Sequence, residues 1–300
     1  MDRLDAMTVF QTAVEAGSLS AAGRKLGMPL ATVSRKISEL EAHLKTRLLH
    51  RSTRQLTLTD AGHAYLAASK RILEQIDEAE RAASGEYSAP KGDLLITAPI
   101  VFGRLHVLPI VVEFLQAYPN VDVRLLLGDR TVNLLEDHID LAVRIGELPD
   151  SSLSATRVGS IRRVVCGSPD YFAKHGMPQS PDELSQHQCI RFDALGMANT
   201  WVFNAAGVDV SVAIQPRLIV NTAEAAIDAA VASFGVTRVL SYQIASAQQS
   251  GLLSVVLEPF EPAAVPVSLV YSRQGRLPVK LRAFIDFAQT RLRQSMATLL

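Results

Sequence analysis

Between positions 24 and 54 the sequence sets Arg24, Lys25, Arg35, Lys36, Lys45, Arg47, Arg51 and Arg54 against Glu39 and Glu41, eight bases minus two acids for a local charge of +6. The whole chain is formally neutral, so the remainder carries −6. A positive segment joined to a mildly acidic body suits a polyanion that meets one part of the chain and not the other. Within that segment, Ala31, Ser34, Arg35 and Ser38 share one face of a helix whose opposite stripe is Val33, Ile37, Leu40 and Leu44. Small side chains, hydroxyl donors for phosphates and one guanidinium fork for a guanine edge are what a helix needs inside a DNA groove. An ordinary solvated face would carry a mixture of Glu and Lys.

Other chemistries lack their residues. The seven histidines, at 43, 50, 63, 106, 138, 175 and 187, show no metal-ligand spacing, and His187-Gln188-Cys189 by itself reads as structural. No glycine-rich phosphate loop occurs. Gly167-Ser168 lacks the second glycine of a nucleophile elbow. No convergent acids, bases or ligands mark a catalytic residue, so neither an enzyme nor a cofactor is expected. The cysteines, Cys166 and Cys189, form no CxxC and suit a reducing interior. Asp2 and Asp5 argue against a signal peptide, and no uninterrupted apolar run spans a membrane. A cytoplasmic protein with no membrane partner is the expectation.

The basic segment needs a scaffold. Leu4, Met7, Phe10, Ala13 and Val14 recur at helical spacing, and Gly17 stops that helix. Ser18 or Ser20 caps a short second helix, Leu19 to Leu26, rich in small residues that admit a close neighbour. Gly27 and Pro29 punctuate the chain before a third helix, about Ala31 to Leu44. Leu48, Leu56 and Leu58 suggest two short strands, whose connecting turn would be a wing with Arg54 near its tip. The short small-residue helix, sparse polar face and basic hairpin together separate this reading from a generic three-helix module.

The run SLSAAGRKLGMPLATVSRKISELEAHLKTRLLHRSTRQLTLTDAG resembles the DNA-binding domain of the LysR-type transcriptional regulators. The resemblance implies DNA contacts at Leu30, Ala31, Thr32, Ser34 and Arg35, with Arg54 in the wing and Lys36 close to the DNA backbone. Many members of that family carry glutamine where this chain has Leu30, which offers a thymine methyl a partner but no hydrogen bond.

Thr59 or Asp60 caps a long helix to about Glu86, with Ala61, Tyr65, Ala68, Ile72, Ile76, Ala79 and Ala83 three and four apart. That is nearly a coiled-coil seam over roughly 40 Å, and the family resemblance implies that it pairs two subunits. Residues 85–92 read as a hinge.

Beyond it, apolar strands alternate with helical patterns, the mark of an open α/β fold. Strands are expected at 94–98, 121–127, 140–145, 162–166, 190–192, 217–220, 235–240 and 267–271, with helices at 105–118 and 279–292. The segments APIVFGRLHVLPIVVEFLQAYPNVDVRLLLGDRTVNLLEDHIDLAVRIG and GVTRVLSYQIASAQQSGLL resemble the periplasmic-binding-protein-like effector domain of the same family. The chain as a whole is thus expected to be α/β, with a winged helix-turn-helix at 1–59, a dimerising linker helix and hinge at 60–91, and a two-lobed effector domain at 92–300. Lobe I would take 92–160 and 266–300, and lobe II 161–265. Cleft positions are then Pro99, Ile100 and Val101 at a helix start, Arg144 and Gly146 after a strand, Asp193 and Trp201 in the second lobe, and Asn221 and Thr222 after a later strand. Family members often place Ser or Thr where this chain has Pro99-Ile100-Val101, so an apolar ligand body or backbone donors are expected there.

The function expected is a sequence-specific regulator whose DNA binding or bending responds to a small molecule. Its implied partners are double-stranded DNA, the effector, its own copies as homodimer or tetramer, and RNA polymerase in the case of an activator. A transport-type solute-binding protein, or an enzyme built on the α/β part, is the competing reading.

Overall fold

A computed structural model describes residues 2–51, 56–83, 89–130, 132–148, 153–192, 199–272 and 277–297. They fall into two compact units, Met1–Ala89 and Pro90–Leu300.

The first unit opens with α1 (Arg3–Glu15), capped by the Asp2 carboxylate, which accepts from the Leu4 and Asp5 amides. Its buried stripe is Ala6, Val9, Phe10 and Ala13, while Leu4 is exposed. The periodicity was thus right and its phase shifted, because two registers of apolar residues compete along this helix and only the one through Val9 faces the core. Ser18 caps α2 (Leu19–Leu26), and Gly27 ends it in the left-handed conformation at φ 64°. Helix α3 (Leu30–Leu44) follows Pro29 and buries Val33, Ile37 and Leu40. Glu41 then organises the chain beyond α3, its Oε1 accepting from the Leu48 and Leu49 amides at 2.9 and 3.1 Å. Those bonds launch β1 (Leu49–Arg51), which pairs antiparallel with β2 (Leu56–Leu58).

Thr59 is the cap of α4 (Asp60–Ala83): its hydroxyl donates to the Arg47 carbonyl at 2.7 Å and accepts from the Gly62 amide at 2.9 Å. Gly62 is required there, since a Cβ would stand 2.0 Å from the Leu48 carbonyl oxygen. The first turns of α4 belong to this unit's core, with Tyr65 5.8 Å from Phe10 between ring centres and Leu66 beside it. Tyr65 is therefore partly spent on its own domain. Further along the expected seam, Ile72 and Ala79 are exposed.

The second unit holds two five-stranded sheets. The first has the order β4-β3-β5-β14-β6, from β3 (Gly92–Ala98), β4 (Val121–Leu127), β5 (Leu141–Ile145), β6 (Leu153–Ile161) and β14 (Val265–Ser272). The second is β11-β8-β12-β7-β13, from β7 (Arg163–Gly167), β8 (Cys189–Phe192), β11 (Pro216–Val220), β12 (Val236–Leu240) and β13 (Ser254–Val256). The chain passes from one sheet to the other at Arg162 and again between β13 and β14. A hairpin of β9 (Thr200–Ala205) and β10 (Val208–Ala213) covers one face of the second sheet through Trp201, Phe203 and Val212.

Helix α5 (Ile100–Ala117) contains a π turn at Gly103–Val107. Its composition would suit a membrane span, but Val101, Phe102, Val107, Ile110, Val111 and Phe114 are buried in the core of the first sheet, which marks a core helix. The remaining helices are α6 (Pro169–His175), α7 (Ala223–Val231), α8 (Ser241–Gln249) and α9 (Val279–Ala297).

Candidate DNA-binding face and effector cleft

On α3 the exposed face carries Leu30 and Ala31, with Arg35 one turn on and Ser38 beyond it, while Thr32 and Ser34 are half-buried at its edge. Leu30 is 52% exposed. The Arg35 guanidinium reaches Glu39 Oε1 at 2.8 Å with 64% of its side chain in water. Such an exposed i,i+4 pair is weak and exchangeable, so Arg35 is held extended along the helix without being committed. The Ser38 hydroxyl donates to the Ser34 carbonyl at 2.9 Å. Lys36 differs from its neighbours: its ammonium pairs with Asp5 of α1 and points around the helix, off the exposed face. Glu15 gathers Lys25 at 3.4 Å and Lys70 at 3.8 Å, and its carboxyl sits below the usual range, first because Gln11 hydrogen-bonds it. Arg54 lies outside the described residues.

In the second unit the cleft candidates divide. Ile100 donates its amide to Asp129 Oδ1 at 3.1 Å, so an internal carboxylate already occupies the start of α5. The side chain of Val101 is buried in the first sheet's core. Arg144 donates to the Val132 carbonyl at 3.0 Å, and burial lowers its pKa. Gly146, at φ 124°, donates its amide to the Pro266 carbonyl at 2.9 Å. Asn221 is exposed, and the Thr222 hydroxyl caps α7 by accepting from the Ala225 amide at 3.3 Å. Trp201 is buried, with the Arg238 guanidinium 5.3 Å from its ring centre, which makes it a platform for that arginine. Asp193 lies outside the described residues.

Several residues that the sequence reading did not single out join the two sheets. Arg104 of α5 meets Glu224 of α7 at 3.7 Å. Tyr242 of α8 stands edge-on to Phe102 at 5.5 Å and to His106 at 5.6 Å. Burial pushes the Tyr242 hydroxyl upward and the His106 imidazole downward, and the His106 Nδ1 is 3.0 Å from the Ser295 hydroxyl. Burial, and then the nearby Glu224, raises the Asp129 carboxyl, while the Ile100 amide opposes that shift. No local pattern announces this group, since its members come from four helices and the loop after β4.

Residues 4–63 match the family described as bacterial regulatory helix-turn-helix protein, lysR family, and residues 88–293 match the LysR substrate binding domain. The chain belongs to the LysR family. A transcriptional regulator of Xanthomonas campestris is 36% identical over 95% of this chain and 84% of its own length. A transcriptional repressor of Pseudomonas aeruginosa is 34% identical over 96% and 91%. The full-length structure of the Vibrio cholerae virulence activator AphB is 28% identical, with a TM-score of 0.61 over 95% of this chain and 98% of that one. This LysR-family protein is accordingly a transcriptional regulator, with a DNA-binding module and an effector-binding regulatory domain on one chain. The solute-binding and enzyme readings gain no support, since the relatives are transcriptional regulators.

Proposed function

We propose that this LysR-family regulator acts in the cytoplasm as a homodimer, or a pair of dimers, that seats α3 of each subunit in successive major grooves of an interrupted palindrome. The observation that carries this reading is the exposed face of α3, where Leu30, Ala31 and the extended Arg35 stand in water with Ser34 at its edge. Leu30, Ala31 and Thr32 at the helix start meet base edges, Ser34 and Arg35 read or clamp the site, and Arg54 reaches the adjacent minor groove from the wing. Lys36 acts indirectly, by holding α3 to α1 through Asp5. The exposed part of α4, from Ile72 onward, pairs subunits and sets the spacing of half-sites.

The effector binds between the two sheets of residues 92–300. Pro99, Ile100, Asn221, Thr222 and Asp193 are its first candidates, with Arg144 and Gly146 behind them. Its binding changes the angle between lobes, and through subunit packing the bend of the DNA; only a difference in affinity for the two arrangements drives such a shift. The sign of regulation is open, because a repressor and an activator both stand among the relatives, and contact with RNA polymerase is proposed for the activator case alone. Gel-shift titration of the region upstream of its own gene, against scrambled DNA at fixed salt, tests the reading. Binding that survives excess competitor supports it. Equal, weak binding to both DNAs, together with no enriched fragment in a genome-wide pull-down, overturns it.

A further inference from the structure

Two arginines of the second sheet share a face with no counter-charge among the described residues. On the antiparallel pair β7 and β12, Arg163 is opposite Leu240 and Val165 is opposite Arg238. Residues two apart on a strand share a face, so both guanidinium groups rise from the face covered by the β9–β10 hairpin, where Val165 packs with Trp201 and Phe203. Arg238 is held in place: it lies over Trp201 at 5.3 Å and Phe203 at 6.0 Å, and donates to the Val202 carbonyl at 2.9 Å. The side chain of Arg163 has no hydrogen-bond acceptor and no carboxylate among the described residues. Glu258 and Glu261 are taken by its neighbour Arg162 at 3.7 and 3.6 Å.

Both side chains are half-buried. Burial lowers both pKa values, that of Arg238 to about 9, and the second cause at Arg238 is the charge of Arg163. Arg238 thus senses the charge of Arg163, and no acid among the described residues contributes to either shift. Two desolvated like charges are costly to hold together, and Arg163 makes no hydrogen bond or ion pair among the described residues that would offset that cost.

Their place gives them a use. Phe192 and Leu240, the last residues of β8 and β12, pack against the core of the first sheet, so this end of the second sheet faces the first. Arg163 sits level with Leu240. On the opposite side, the start of α5 is closed to anions by the Asp129 carboxylate, with Pro99 and Ile100 beside it.

We propose that Arg163 and Arg238 form an oxyanion site, in which a carboxylate or an inorganic oxyanion takes hydrogen bonds from both guanidinium groups while any apolar body of the ligand turns toward the first sheet. This rests on the effector-binding reading and supplies it with a ligand class. Arginine forks match carboxylate, phosphate and sulfate oxygens, and charge-assisted pairs of this kind are strong when desolvated.

Thermal unfolding of the full-length protein tests the site, with benzoate, sulfate and phosphate titrated against chloride at constant ionic strength. The wild type is expected to show a saturable rise in melting temperature with at least one oxyanion. Benzoate alone assigns an organic carboxylate, and sulfate or phosphate alone an inorganic ion. Arg163→Gln is expected to weaken that response about tenfold or more, and to melt at or above the wild-type temperature without ligand, because it relieves the like-charge pair. Arg282→Gln, at an exposed ion pair on α9, serves as the control and keeps the full response. No oxyanion response beyond chloride in the wild type, an undiminished response in Arg163→Gln, or a ligand-free Arg163→Gln that melts well below the wild type overturns the proposal. Arg238 is left intact because its removal would also strip Trp201 of its cover. Loss of operator binding would sink the regulator reading without touching these melting curves, so the two failures are distinguishable.

Discussion

Arg35 on α3 and Arg163 on β7 are the same residue kept under opposite conditions. Arg35 stands in water, 2.8 Å from Glu39, and trades that partner for a phosphate or a base edge at little cost. Arg163 is half-buried beside Arg238 with no acid at hand among the described residues, so its desolvation is already met in the fold and an arriving anion meets a preorganised charge. The first arrangement suits a long polyanion read at many points, where each contact is small and salt-dependent. The second suits one small anion, where two contacts must suffice.

The most damaging way to break the comparison is to remove the scaffold under Arg35 alone. Phe10 is fully buried in the first unit's core, and Phe10→Ala is expected to cost about 3–5 kcal/mol. Chemical denaturation followed by proteolysis should find the first unit opened while residues 90–300 stay protected. Arg35→Ala leaves the fold intact and should lower operator affinity by about 1–3 kcal/mol; a loss within error in gel-shift titrations would move the reading face elsewhere. Glu39→Gln sharpens the point. It removes the partner and keeps the arginine, so stability should fall by no more than about 0.5 kcal/mol while DNA binding holds or tightens.

In the second unit the expected effects are matters of sign. The Asp129 carboxyl is raised above 3.8 by burial, so the folded state holds its proton more readily than the unfolded chain and stability falls as pH rises from 3.8 through the folded value. Asp129→Asn keeps an acceptor for the Ile100 amide and removes the charge. Its melting temperature should exceed the wild type at pH 7, and the advantage should vanish below pH 3.8. Smallest of all is the response of the thiols. Cys166 and Cys189 are buried and pushed up to about 12 and about 11, so at pH 8 about one thiol in a thousand or fewer is ionised. A thiol reagent should label neither until the protein unfolds.

Much of the first unit was legible. Ser18, Gly27 and Thr59 are local signals whose bonds run to residues two or three positions away or to a neighbouring turn, and α2, α3 and both wing strands appear where those signals put them. The phase of α1 was not legible, because the choice between Leu4 and Ala6 depends on which side the other helices occupy. In the second unit the strands with dense apolar runs were found, among them β4 at 121–127. Strand β6 and the β9–β10 hairpin were missed, since β6 lacks a clean alternation and β10 leaves Val208 and Val210 exposed. Trp201 illustrates the same limit at a site: its position in the second lobe made it a cleft candidate, and only the tertiary structure shows that Arg238 lies over its ring.

What the sequence by itself determined is whatever depends on neighbours along the chain: the basic segment, the caps, the period of the recognition helix and the alternation of strands and helices. Capping and amphipathic burial act over one or two turns, so residue order suffices to read them. The tertiary structure alone decided that Asp129 would close the start of α5, that Tyr242 would lodge beside Phe102 and His106, and that Arg163 and Arg238 would share a face. Each of those pairings joins residues far apart in the chain, and whether a charge is matched or left waiting is a property of the space that the fold encloses.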